Sequence, residues 1–235
     1  MLIAMSARVL LVSGAGRYAD PWHPFAATSD AVAELLRGDG MNVIVRDDVD
    51  DALADLTTDA PDLLVLNIGD PAGPRPEGEP VAAPDAEAQE RARAGLLAHL
   101  AAGRPVLALH VTSTSLGFIP EWEGILGGVW VRGTSMHPDY GRASIRVETD
   151  AHPIVEGIDD FTVDDERYSW LRVAPDVRAL AWHEHDGERH PLLWARSVGA
   201  ARVVYDALGH DEQSYRSDPA RELVLRSARW LLGES

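Results

Sequence analysis

Nine histidines in a chain of 235 residues, with no cysteine, are the side chains here best suited to chemistry. Imidazole titrates near neutral pH, so it can move protons or ligate a metal with little tuning. Four of the nine fall in predicted loops or at a strand end. His23 lies in Asp20-Pro21-Trp22-His23-Pro24, His110 ends the run Val106-Leu107-Ala108-Leu109, His137 lies in Ser135-Met136-His137-Pro138, and His210 in Leu208-Gly209-His210-Asp211. A second concentration is Asp164-Asp165-Glu166-Arg167-Tyr168-Ser169-Trp170, three consecutive acids running into aromatic rings. Carboxylates accept hydrogen bonds from hydroxyls and rings pack on the apolar faces of a pyranose, so this composition suits sugar binding. The same residues also fit a buried aromatic pair with capped acids. Seven tryptophans against three phenylalanines favour the sugar reading.

The roles follow from residue type. His110, His137 and Glu166 are the expected catalytic groups; a carboxylate beside aromatic rings can have its pKa raised for acid work. His23, Asp165, Tyr168, Trp170 and His210 are the expected substrate-binding groups. The alternation Tyr168-Ser169-Trp170 puts both rings on one face of any local strand. His110, His137 and His210, with Glu166, also make a nitrogen and oxygen set suited to Zn²⁺ or Mn²⁺, so a divalent metal is left open. His99 and His152 read as structural. His183, His185 and His190 flank an Asp186-Gly187 turn signal and read as an exposed β-hairpin, although His183 and His185 also have metal-ligand spacing.

Composition removes several other chemistries. All 21 basic residues are arginine, which excludes Schiff-base lysines and a P-loop lysine. The absence of cysteine excludes disulfides and thiolate catalysis. A formal charge of −17 argues against nucleic acid and anionic membranes as partners. Gly14-Ala15-Gly16 lacks the third glycine of a dinucleotide fingerprint and is followed by Asp20-Pro21, so no NAD or ATP site is expected. No run approaches ~18 uninterrupted apolar residues, so the expectation is a cytoplasmic protein without a membrane span. A homo-oligomer is left open.

The elements that must position these residues alternate. Apolar runs at 9–12, 43–45 and 63–67 and the run from 106 ending at His110 read as strands, and helical spacing at 24–37 and 84–102 falls between them; such βαβ units imply a parallel sheet with right-handed crossovers. In open α/β sheets ligands bind beyond the carboxyl ends of the strands, which is where His23, His110 and His210 would converge. A Pro/Gly/Glu-rich excursion at 70–84 reads as a surface loop or a lid. After His110, strands at 144–148, 177–182, 192–195 and 202–207 carry little helix between them, and an amphipathic helix at 221–232 closes the chain. No linker or repeat appears, so residues 1–235 are expected to form one domain.

In their order, these pieces resemble the ThuA-like family, named for trehalose utilisation, within the class I glutamine amidotransferase-like superfamily. The resemblance rests on His23-Pro24, Leu109-His110, Gly127-Gly128 before Ser135-Met136-His137-Pro138, and His152-Pro153-Ile154. It continues through Asp165-Glu166-Arg167-Tyr168, Ala201-Arg202-Val203-Val204-Tyr205 leading to Leu208-Gly209-His210, and Trp230. It implies an α/β flavodoxin-like three-layer sandwich with a mostly parallel sheet, and a place in the catabolism of trehalose, a related disaccharide or a keto-sugar. Amidotransferases of this superfamily carry a cysteine at the strand-to-helix elbow; His110 stands there instead, which implies neither amidotransferase nor cysteine peptidase activity. The family has glycines around this histidine where the chain has Ala108 and Val111, so the backbone geometry of the elbow is a point of departure. The alternative to an enzyme is a non-catalytic amidotransferase-like binding or oligomerisation module.

Overall fold

A computed structural model describes residues 6–74 and 84–234. Four apolar runs form the strands expected of them: β1 (Arg8–Ser13), β2 (Asn42–Arg46), β3 (Leu63–Asn67) and β4 (Val106–Leu109). Every residue of β3 and β4 is buried, as strands covered on both faces require. With β11 (Ala201–Asp206) these strands pair in parallel in the order β2-β1-β3-β4-β11. That order reverses direction after β1, so right-handed crossovers place helices on both faces. Helix α1 (Phe25–Gly38) packs on α5 (Asp218–Leu232), and α2 (Val49–Ala54) packs on α3 (Ala86–Ala101). The α2–α3 approach is close because Gly95 lies against the Leu53 carbonyl oxygen; a Cβ there would sit 1.9 Å from it.

From β11 the sheet continues antiparallel, through β10 (Glu188–Val198), β9 (Ala179–His185), β6 (Gly141–Val147) and β7 (Phe161–Asp165), to nine strands in all. A short helix, α4 (Trp122–Leu126), leads into a two-stranded ribbon of β5 (Gly128–Val129) and β8 (Arg172–Val173). The result is a three-layer α/β fold around one mixed sheet.

Two local features depart from the sequence reading. Strand β7 runs directly into the acidic cluster, so Phe161, Val163 and Asp165 alternate on a strand that the sequence reading did not assign. The Asp186-Gly187 turn does form a hairpin, with both residues at positive φ (50° and 75°), the geometry a two-residue turn demands. The hairpin is not exposed, however. His183 and His190 are buried, because the segment 168–170 packs across it. The excursion at 70–84 lies largely outside the described residues; of it only 70–74 and 84 are described. Two other histidines serve packing. His99 Nε2 meets the Pro105 carbonyl at 3.0 Å, and His152 stacks edge-on against Trp230.

Candidate functional site

His23, His110, Glu166 and His210 follow strand ends, and His137 lies in the loop between β5 and β6. After β1 the chain turns at Asp20, whose carboxylate accepts hydrogen bonds from the backbone N–H groups of Trp22 and His23 at 2.9 and 3.0 Å. The same carboxylate accepts the His23 Nδ1–H at 2.7–2.8 Å. That bond fixes the ring tautomer and leaves Nε2 as the nitrogen with a lone pair.

At the end of β4, His110 has φ +37°, a left-handed conformation that costs a non-glycine residue about 1–3 kcal/mol. The elbow therefore forms without glycine at 108 or 111, because the histidine itself takes the strained position. Tyr205 Oη donates to the His110 carbonyl and His110 Nδ1–H donates to the Ala207 carbonyl, each at 2.7 Å. The Thr112 hydroxyl braces the elbow from β3, donating to the Leu66 carbonyl at 3.0 Å and accepting from the Ile68 N–H at 3.2 Å.

Beyond β11, Gly209 has φ +110°, and a Cβ there would lie 2.3 Å from Tyr215 Oη. Only glycine fits, and the chain it redirects presents His210. The N–H groups of Gly209 and His210 donate to the Asp165 carboxylate at 2.8 and 3.1 Å. Asp165 was expected to bind substrate. It is instead wholly buried at the end of β7 and holds the His210 loop. The next residue, Glu166, turns the other way and becomes the hub. One of its carboxylate oxygens lies 3.6 Å from His110 Nε2 and 3.2 Å from His210 Nδ1, and the other lies 3.5 Å from His137 Nε2. The rings of His23, His110 and His210 meet edge to face, with centroids 4.9 to 5.6 Å apart.

Electrostatics follow from this packing. Burial pushes the Glu166 carboxyl up, but His110 and His210 outweigh that effect and hold it well below the usual range. Glu166 is thus ionised, contrary to the raised pKa expected of a catalytic acid. Burial lowers His210, but Glu166 more than offsets this and the net shift is upward. Burial, with His110 and His210 nearby, depresses His23 despite Asp20. The carboxyls raised by burial are Asp165 and Asp206, the latter to about 7.

Above this cluster opens a cavity of about 560 Å³, inside the range of small-molecule sites. Glu166, His23 and His137 line it together with Tyr168, Trp130 and the exposed Trp22. His110 and His210 stand behind Glu166 rather than on the cavity surface. Tyr168 is only 2% exposed, stacks on His110 at 4.4 Å and meets Trp130 edge-on at 4.8 Å, so it is both wall and packing.

Trp170 is not its companion. The chain leaves the strand after Asp165, Ser169 bridges to Met136, and Trp170 takes φ +52°, directing its ring against His185 and His190. Those histidines hold backbone rather than ligand: His183 Nε2 meets the Tyr168 carbonyl at 3.2 Å, and His190 Nδ1 accepts the Trp170 N–H. The structure therefore gathers His23, His110, His137, Glu166, Tyr168 and His210, and leaves Asp165 and Trp170 outside the cavity. Asp20, Trp130, and the Arg132–Asp70 pair also line it. Asp20 stands two residues before Trp22, the spacing of an Asx turn, and that was its signal in the sequence.

The five parallel strands, their order and the elbow define a class I glutamine amidotransferase-like fold in which a histidine and glutamate cluster occupies the strand ends. The chain belongs to the ThuA family, described as trehalose utilisation, whose model matches residues 8–231. A ThuA-like protein from Parabacteroides merdae is similar in structure at a TM-score of 0.77 and 18% identity, over 98% of this chain and 91% of that one. Another from Bacteroides uniformis has a TM-score of 0.73 at 14% identity, over 98% and 94%. A glutamine amidotransferase from Thermotoga maritima has a TM-score of 0.56 at 11% identity, over 97% and 99%. A comparison with curated proteins finds no match. Among the described residues no helix is long and apolar enough to cross a membrane.

Proposed function

We propose that this protein processes a sugar, either a disaccharide of the trehalose type or its oxidised keto form, in the cavity above Glu166. The observation that carries the reading is the make-up of that cavity. Its lining combines aromatic rings (Tyr168, Trp130, Trp22) with ionised or titratable groups (Glu166, His137, His23). A pyranose offers the matching pair of surfaces, apolar ring faces and a hydroxyl rim. Glu166, held as a carboxylate, accepts a hydrogen bond from a sugar hydroxyl. His137, the most exposed of the histidines around Glu166, carries protons between the bound sugar and solvent.

An open cavity that reaches Glu166 supports an enzyme over a plugged, non-catalytic module, with His110 set behind Glu166 rather than on the cavity surface. Leu116 is buried in the core, Phe118 packs beneath Arg17, and Trp130 stands in the wall. The test is a turnover and thermal-shift panel of trehalose, sucrose and their keto derivatives, run on wild type and His137→Ala. The reading expects a saturable ligand in the panel and a loss of turnover in the variant with binding retained. No shift and no turnover with any of these sugars would overturn it.

A further inference from the structure

His23, His110, His210 and Glu166 each offer one ligand atom, and these atoms all lie within 4.8 Å of one another. Among the described residues this is the one group of histidines and acids that converges in this way. Two of its nitrogens, His110 Nε2 and His210 Nδ1, are buried without a hydrogen-bond partner. Leaving buried polar atoms unsatisfied costs on the order of 1–3 kcal/mol each. A proton pairs Glu166 with His210, but it leaves the inward nitrogen of His110 unanswered. The inward nitrogen of His23 has only the Tyr168 hydroxyl, at 3.5 Å.

The outer nitrogens of His23 and His110, by contrast, are tied down. Asp20 holds His23 Nδ1–H and the Ala207 carbonyl holds His110 Nδ1–H. Carboxylates and carbonyls behind imidazoles are the supports that orient histidines toward a cation. Charge agrees as well, because Glu166 and Asp20 together balance two positive charges against neutral imidazoles.

We infer that this cluster is the site of a single divalent first-row transition metal ion, ligated by His23, His110, His210 and Glu166 and facing the cavity. The nitrogen and oxygen donor set, with no thiolate, suits Zn²⁺ or Mn²⁺. Tetrahedral ligands about 2.0–2.1 Å from zinc lie about 3.3 Å apart, close to the 3.2 and 3.6 Å separations of Glu166 from His210 and His110. His137, expected among the ligands from the sequence, contacts only the far oxygen of Glu166, and His23 stands in its place. An ion there would polarise a carbonyl or hydroxyl oxygen entering from the cavity. What the ion would do rests on the sugar reading; that it binds does not.

The test strips the purified protein with chelator, reloads it with Zn²⁺, Mn²⁺ or Co²⁺, removes unbound ion, and measures the metal retained by elemental analysis, the Co²⁺ visible spectrum and the melting temperature, all without sugar. The expected result is one equivalent, a ligand-field spectrum, a higher melting temperature, and affinity reduced by about 100-fold or more in His23→Gln and Glu166→Gln. Asp20→Asn, which touches no metal, should cost about 10–100-fold, and His152→Ala nothing. Circular dichroism of the apo variants checks that they fold, and the wild-type metal count stands whether or not they do. Wild type that retains well below one equivalent of all three metals, with no spectrum and no thermal shift, would overturn the inference. Metal bound without any sugar response would instead refute only the sugar reading.

Discussion

Replacing Asp206 by Asn should stabilise the protein at alkaline pH and flatten part of its pH dependence. Asp206 ends β11 directly opposite Leu109, beneath the His110 elbow, and is 2% exposed. Its carboxylate accepts the Leu208 N–H at 3.0 Å, a bond that an Asn side-chain oxygen keeps. Burial, with a contribution from the Asp165 charge, raises its pKa from 3.8 to about 7. The folded chain therefore binds this proton more tightly than the unfolded chain. The contribution to stability is complete below pH ~4 and is lost as pH rises through about 7. At roughly 1.4 kcal/mol per unit, the loss between pH 5 and pH 8 is about 2–3 kcal/mol. Urea unfolding of wild type and Asp206→Asn at both pH values measures it. The variant should gain about that much on wild type between the acid and alkaline conditions. A difference between the two proteins that does not change with pH would refute the reasoning.

Three further outcomes follow from the geometry. Tyr168→Ala should lose about 3–5 kcal/mol in denaturant unfolding, since its ring is a packed wall, whereas Tyr168→Phe should keep stability within about 1 kcal/mol and weaken sugar binding. Trp170→Ala should leave sugar affinity unchanged in the same titration, because its ring packs on His185 and His190 instead of the cavity. Gly95→Ala should destabilise by about 1–3 kcal/mol or more, read as a lower melting temperature, because its methyl must displace the Leu53 carbonyl and separate α2 from α3.

The parallel half of the sheet was legible because strands buried on both faces are continuous apolar runs; β3 lies where its five residues placed it. The antiparallel half was legible only in part. In β7 the outward Asp164 sits beside the inward Asp165, so a strand looked like a charge cluster. The convergence of His23, His110 and His210 followed from topology alone, since strand ends of one parallel sheet share an edge. Which of three consecutive acids would enter the site did not follow. Asp165 and Glu166 are separated by a single peptide unit, and strand register alone decides that one anchors the His210 loop while the other faces the cavity. The pairing of Tyr168 with Trp170 failed for a related reason. Strand alternation ends at Asp165, and the left-handed backbone at Trp170 turns its ring away.

The central claim, that the cavity above Glu166 receives a sugar, is tested most directly by a crystal structure of the protein with trehalose or its keto derivative at saturating concentration. The account predicts a pyranose ring against Tyr168 and Trp130, with an oxygen within hydrogen-bond distance of Glu166 and His137. A cavity that stays empty, or a sugar bound elsewhere on the surface, would contradict it.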